Sequence, residues 1–432
     1  MAAALPQIDA PATRPWELYS QRQRRRFLAI LFLVATSNYF DRNVLAVLLE
    51  PIKHEFHLSD TLLGVLGGFS FALFYALFGI PISRWGDGGN RRTIITVALV
   101  IWSLMTVVCG LAQSFVQLAA ARVGVGVGEA GAIPPAQSLI ADYFAPERRA
   151  GALAVFTSAA TAGLLLGFGV GGYVAEKYGW RAAFILGGIP GLALALLTRW
   201  GLDEPRERLG FPEHNPRRES FGESMKRLRH KRSYVHALIG CQLYFFMAYG
   251  ALLFIPAYLI RVQHIALATV SVAYGTVGAV GALIGTLGGG WLANRLGSKD
   301  VRWLAWLCAI ACALTGPLNM LALGVNNFTL FLVLSGVGST LLAGGLPSMF
   351  AGIIAVAGSA RRTTALAIVL FSATLIGGGL GPLVSGALSD VLTATYGDAG
   401  LRYALLAVMP VLLVTGVFFY AFGRAMPADL EE

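Results

Sequence analysis

From Phe27 onward the chain alternates long apolar runs with short polar or glycine-containing breaks. A helix rises 1.5 Å per residue, so a run of about 20 apolar residues crosses a hydrocarbon layer about 30 Å thick. The pattern predicts twelve such helices, near 27–50, 61–83, 93–112, 116–142, 150–176, 181–201, 233–260, 268–294, 301–324, 327–357, 363–390 and 401–424. The only long polar segment is DEPRERLGFPEHNPRRESFGESMKRLRHKR, from Asp203 to Arg232. It divides the chain into a tail (1–26), a six-helix half (27–201), a linker (202–232), a second six-helix half (233–424) and a tail (425–432). The expected fold class is therefore an all-α membrane protein, with twelve transmembrane helices in two pseudo-symmetric six-helix bundles.

Repetition supports two related halves. SRWGDGGNRR (83–92) follows the second run and GWLANRLGSK (290–299) follows the eighth. The fourth run contains Gly-Val-Gly at 126–128 and Pro134; the tenth contains Gly-Val-Gly at 336–338 and Pro347. The offset stays near 210 residues, which predicts a duplication with parallel topology and a site at the midplane between the halves. Within the linker, Phe221, Met225 and Leu228 fall at i, i+4 and i+7 among basic residues. That spacing fits a short helix lying on the membrane surface, or a solvated linker with chance periodicity.

Composition sharpens the class. Only 13% of the 432 residues are charged, about half the share of a soluble domain, and 56% are hydrophobic. The net charge of +10 would suggest nucleic acid in a soluble protein. Here the basic residues lie in loops on alternate sides: Arg22, Arg24, Arg25 and Arg26 before the first run, then Arg91 and Arg92, Arg148 and Arg149, Arg295 and Lys299, and Arg361 and Arg362 after every second one. That asymmetry predicts a multi-pass protein of the plasma (inner) membrane with both termini cytoplasmic, and no nucleic-acid partner. Residues 1–26 are too polar for a cleavable signal. Cys109, Cys241, Cys308 and Cys312 all fall inside predicted spans, without companions that would hold a metal.

Charges inside spans are costly and usually mark ion or substrate paths. In the first half they are Asp41, Arg42, Arg122 and Glu129. Arg122 and Glu129 are seven apart and share one helix face, and Asn38 borders both Asp41 and Arg42 on the first helix. Alternatively, the four pair only to neutralise one another and hold helices together. The second half differs: 303–358 and 363–389 contain no Asp, Glu, Lys or Arg. Its seventh span offers Gln242, Tyr244, Phe245, Phe246 and Tyr249, with His236 near one end. A cavity charged on one wall and apolar or aromatic on the other suits an amphipathic substrate, whereas a small sugar would want polar groups on both.

A buried carboxylic acid resists ionisation while a nearby arginine opposes that effect, so Asp41 is the candidate protonation switch, with Glu129 as second proton-coupling residue. Neighbouring positions point about 100° apart on a helix, so Asp41 and Arg42 need not pair. The expectation is that one faces the cavity and reaches toward Arg122 and Glu129. Protonating Asp41 would release an arginine to hold a phosphate or carboxylate headgroup. Proton and substrate would then compete, which favours antiport. The candidate substrate-binding residues are Asn38, Arg42, Arg122, Glu129, Tyr244 and Tyr249.

The loop after the second run resembles the G-x-x-x-D-R-x-G-R-R motif of the major facilitator superfamily in Asp87, Arg91 and Arg92, and departs from it at Ser83, Gly88 and Asn90. Its second copy matches through Gly290, Arg295 and Gly297, with Asn294 where the motif has Asp. Within that superfamily, NYFDRNVLA (38–46) and RVGVGVGEAGAIPPAQSLIADYFAPERRA (122–150) are similar to the spinster family of lysolipid and sphingosine-phosphate transporters. The resemblance covers the whole chain. It implies a monomeric secondary transporter, not an enzyme, that moves a lysophospholipid or sphingosine-phosphate-like substrate by alternating access, with a proton gradient and no cofactor. It also implies a cytoplasmic gate: Asp87 capping the eleventh helix near Thr363 and Thr364, with Arg91, Asp142 and Arg148 in the same latch. Membrane lipids and protons are the other expected partners. A symporter of small organic anions, a pH-independent facilitator and a non-transporting lipid sensor are the alternatives. The glycine-proline motif of exporters should sit in the fifth span. There Gly163 and Gly167 lead into Phe168, whereas Gly377, Gly381 and Pro382 show the motif in the eleventh. GVGEAG (126–131) has dinucleotide-binding spacing but lies in an apolar run with no preceding strand, so its glycines read as helix-packing positions.

Overall fold

The computed structural model describes residues 14–210, 221–358 and 361–430; the side chains at 80, 83, 84, 86–88, 150, 221 and 363 lie outside that description. The described residues are helical almost throughout and contain no strand. The first span, Gln21–Phe56, starts where Ser20 accepts a hydrogen bond from the Gln23 N–H and the Gln23 side chain accepts one from Ser20. It ends at His57, in the left-handed conformation (φ 50°). The second span (60–88) is α-helical except for a π turn, Val65–Phe69. The third is Arg91–Leu111, capped by Asn90. The fourth comprises Phe115–Glu129 and Ile133–Tyr143, broken at 130–132. The fifth is Pro146–Tyr178, with a π turn at Leu166–Val170, and the sixth is Trp180–Gly201.

After a linker that includes the helix Phe221–His230 come the seventh to tenth spans: Arg232–Arg261, Leu267–Gly297, Trp303–Gly324 and Phe328–Ala357. The eleventh (362–396) carries a π stretch, Ala373–Leu380, and the twelfth comprises Gly400–Val408 and Val411–Asp429. The π segments of the fifth and eleventh spans begin at Leu166 and Ala373, 207 positions apart, which matches the repeat offset of the sequence. Among the described residues, nine helices are long and apolar enough to cross a membrane, the last of them (Thr364–Asp429) holding the eleventh and twelfth spans together. The first and fourth spans fall outside that set. Polar residues at 37, 38 and 41–43 dilute the first, and the break at 130–132 splits the fourth.

Small residues let the helices approach. A Cβ at Gly163 would stand 2.4 Å from that of Tyr39, so the fifth span lies directly on the first. A Cβ at Gly128 would meet the Trp102 backbone nitrogen at 2.6 Å. A Cβ at Gly126 would stand 3.0 Å from the Phe71 carbonyl, so the Gly-Val-Gly of the fourth span packs against the second and third spans.

Both described ends of the chain and the linker gather at one end of the bundle. Tyr19, before the first span, packs edge-on against Tyr143, whose hydroxyl donates to the Asp203 carbonyl after the sixth. Lys231 donates through Nζ to the carbonyls of Val356 and Asp429, closing the ends of the tenth and twelfth spans. The Asp429 carboxylate accepts from the Ser233 N–H at the start of the seventh. The linker helix buries Ser224 and Leu228 against the second half and leaves Lys226, Arg227, Arg229 and His230 exposed.

Candidate functional site

The first span turns its neighbouring charges in different directions. Asp41 is 1% exposed and points into the first bundle, near Trp102 and Thr106 of the third span and Arg122 of the fourth. A Cβ at Gly187 of the sixth span would stand 3.2 Å from its Oδ1. Neither carboxylate oxygen has a hydrogen-bond partner among the described residues, and neither has the Trp102 indole nitrogen. Arg122, 2% exposed, donates at 3.5 Å to the Asp41 backbone carbonyl and lies over the Phe71 ring.

Arg42 points the other way, about one residue's rotation round the helix. Its Nε donates to Oε2 of the fully buried Glu129 at 2.6 Å, while a quarter of its own side chain stays exposed. The guanidinium sits over the rings of Tyr75 (4.8 Å), Phe71 (5.0 Å) and Tyr39 (5.9 Å), a cation–π box. Two charges of each sign thus occupy the first half's core. Asn38 is wholly buried beside them, and neither of its side-chain polar atoms is satisfied.

The facing wall comes from the second half. Tyr249 of the seventh span, 38% exposed, stacks on Phe245 and lies within electrostatic reach of Arg42. Tyr244 does not join it: it is 2% exposed, and its hydroxyl donates to the Leu342 carbonyl inside the second bundle. Gln242 is likewise committed, donating to Ser372. Within that bundle lies a cavity of about 160 Å³, its wall mostly apolar through Met247, Ala251, Tyr274, Phe331 and Leu342. Among the described residues, no group of His, Cys, Asp or Glu is arranged to hold a metal.

At the end bearing both termini, Arg91 is 1% exposed and meets Asp142 at 2.6 Å and Glu204 through Nε and Nη2. Glu204 was not singled out from the sequence, although it lies just past the sixth span in an acidic pair. Arg148 stays exposed and apart from this cluster. The side chains of Asp87 and Thr363 lie outside the described residues, and with them the expected cap on the eleventh helix near Thr363 and Thr364.

The opposite end carries a cluster that sequence reasoning missed. Arg261 of the seventh span donates to both Glu50 oxygens (3.0 and 2.9 Å) and both Asp60 oxygens (2.7 and 2.9 Å). Lys53 and Ser389 add further bonds to Asp60. Asp390 of the eleventh span accepts from the N–H groups of Asp60 and Thr61 and from the Thr61 hydroxyl, capping the second span. A Cβ at Gly386 would be only 2.1 Å from the Asp60 carbonyl. Charges flanking the first, second, seventh and eleventh spans were the available signal. Pairing across the halves leaves no sequence spacing by which such charges could be matched.

Residues 31–318 match the Major Facilitator Superfamily. The chain is 37% identical to an MFS-type efflux pump of Mycolicibacterium smegmatis over 92% of each chain. It is 30% identical to the mouse sphingosine-1-phosphate transporter SPNS2, over 93% of this chain and 77% of that protein. Among solved structures, a bacterial homologue of the human lysosomal transporter Spinster, inward-facing and unoccupied, superposes with a TM-score of 0.87 at 28% identity, covering 96% of this chain and all of that one.

Proposed function

The chain belongs to the Major Facilitator Superfamily, a multi-pass membrane transporter and not an enzyme, and from that premise we propose a lipid-like cargo and a proton-coupled cycle. The cargo is an amphipathic anionic or zwitterionic molecule of the lysophospholipid or sphingosine-phosphate class, moved by alternating access between the halves. The observation that carries this reading is the divergence of Asp41 and Arg42. Arg42 presents a guanidinium in an aromatic box, a quarter of its side chain exposed and its Nη2 without a partner among the described residues, suited to contact with a phosphate or carboxylate headgroup. The facing wall is aromatic and apolar, which suits the other end of an amphiphile. The spinster-type similarity of relatives and solved structures supports the same cargo class.

Asp41 is the proposed proton-coupling residue, with Glu129 beside it. Burying an unpaired carboxylate costs several kcal/mol unless it is paired or neutralised, and the Asp41 carboxylate has no hydrogen-bond partner among the described residues. Glu129 holds Arg42 directly, so a proton arriving at Glu129 would free Arg42 for a headgroup. The four charges sum to zero and one added proton makes them positive, so proton and anionic headgroup would help each other. That sign is opposite to the competition expected from sequence. The termini and linker are assigned to the cytoplasm of an inner-membrane protein by their arginines, and the protein is taken to act as a monomer.

The test is transport of a lysophospholipid by reconstituted protein under an imposed pH gradient. Asp41→Asn is expected to lose the gradient dependence and Arg42→Ala to lose transport at any pH. Gradient-driven uptake unchanged in Asp41→Asn would remove Asp41 from the coupling. Thermal stabilisation by lysolipids but not by sugars or small carboxylates is expected; stabilisation by small carboxylates alone would favour an organic-anion carrier instead.

A further inference from the structure

On the outside of the first half, at the end bearing both termini, two helix faces form an open groove of about 350 Å³. Gln21, Arg24, Arg25 and Leu28 line it from the first span, spaced i, i+3, i+4 and i+7, one face of a helix. Phe144 lines it from just past the fourth span, and Glu147, Arg148, Gly151, Ala152 and Val155 from the start of the fifth. We infer that this groove binds the headgroup of an anionic phospholipid of the surrounding bilayer, a site separate from the central Arg42 cluster and independent of what is transported.

Three observations carry the assignment. The first is charge: three arginines against the single carboxylate of Glu147 leave a net +2 on the lining (3 − 1). The second is commitment. Arg149, next in the chain, spends its guanidinium on the Phe144 carbonyl and the Trp16 ring. The guanidiniums of Arg24, Arg25 and Arg148 make no ion pair or hydrogen bond among the described residues, and the Arg24 Nε is buried without a partner. Arginines that only set topology would be solvated and scattered; these converge on one hollow. The third is polarity along the groove. Leu28 lies about one helical turn beyond Arg24 and Arg25, and Val155 about two turns beyond Arg148, roughly 10 Å toward the membrane centre. A guanidinium cluster at the membrane surface with an apolar trough below it matches a phosphodiester with its acyl chain attached. Free phosphate would use only the upper part.

The experiment uses the full chain, delipidated in a neutral detergent and titrated with phosphatidylglycerol, phosphatidylcholine or inorganic phosphate. Native mass spectrometry counts retained lipid, and thermal unfolding reads stabilisation. Phosphatidylglycerol is expected to bind and stabilise, and the other two are not. Arg24→Gln, Arg25→Gln and Arg148→Gln should each weaken phosphatidylglycerol binding about fivefold. Gly151→Leu changes no charge and hence no topology signal, and a side chain there has open space to grow into the trough. It should weaken lipid binding as well. Phosphatidylglycerol binding undiminished in Gly151→Leu and in the arginine variants would overturn the site. Equal stabilisation by phosphate would make it a simple anion site, and equal retention of phosphatidylcholine a nonspecific crevice; either result refutes the inference.

Discussion

Two buried charge clusters divide this protein's work, and they are finished to different degrees. At the end opposite the described termini, Arg261, Glu50, Asp60 and Asp390 bond across the halves, Lys53 bonds Asp60 from within the first half, and none of the five has an unsatisfied buried atom among the described residues. In the centre, Asp41, Asn38, Arg42, Arg122 and Glu129 each keep at least one polar atom without a partner. A buried polar network earns its stability only when every member is satisfied. The first cluster is therefore built to hold two bodies together. The second keeps unused bonding capacity, which the proposed proton and headgroup would take up.

Perturbing each cluster tests that contrast. Arg261→Met leaves Glu50 and Asp60 buried without their main partner, a loss of about 3–5 kcal/mol from the closed state of that end. Distances between labels on the second and eleventh spans should lengthen; an end that stays shut would show that the ion pairs are not the clasp. Gly386→Ala drives a methyl to within 2.1 Å of the Asp60 carbonyl and should cost about 1–3 kcal/mol in the same distance assay. Asp390→Ala removes one of the two caps on the second span, leaving that of Ser59, for about 1–2 kcal/mol, visible as a lower unfolding temperature. Asp41→Asn should move the unfolding temperature least, about 1 kcal/mol or less, because its carboxylate gives up no hydrogen bond. If it unfolds the protein instead, the central cluster is as structural as the peripheral one.

Most of the architecture is legible in the sequence, because a bilayer demands long apolar helices and the duplication repeats them. The central charges are legible for the same reason: ionisable residues stand out in apolar runs. Their pairing is not. Helical spacing shows that Asp41 and Arg42 diverge, but the rotation of the first helix about its axis is set by packing, such as Gly163 against Tyr39, and only that decides which charge meets Glu129. Tyr244 and Tyr249 look alike as sequence. One is drawn inward by the Leu342 carbonyl and the other faces Arg42, a difference that rests on a neighbour 98 positions away. The peripheral cluster was hidden because charges at helix ends read as ordinary loop residues until two halves are brought together.

The ion pair between Arg42 and Glu129 also bears on how the chain is made. Its two residues are 87 positions apart. At a synthesis rate of about 5–20 residues per second, the first helix waits about 4 to 17 seconds for its partner to leave the ribosome. During that interval two charges near mid-helix disfavour insertion by about 2.5–3.5 kcal/mol each. This first span is therefore poorly suited to enter the membrane alone. Its stable residence there is a debt settled only when the fourth helix arrives.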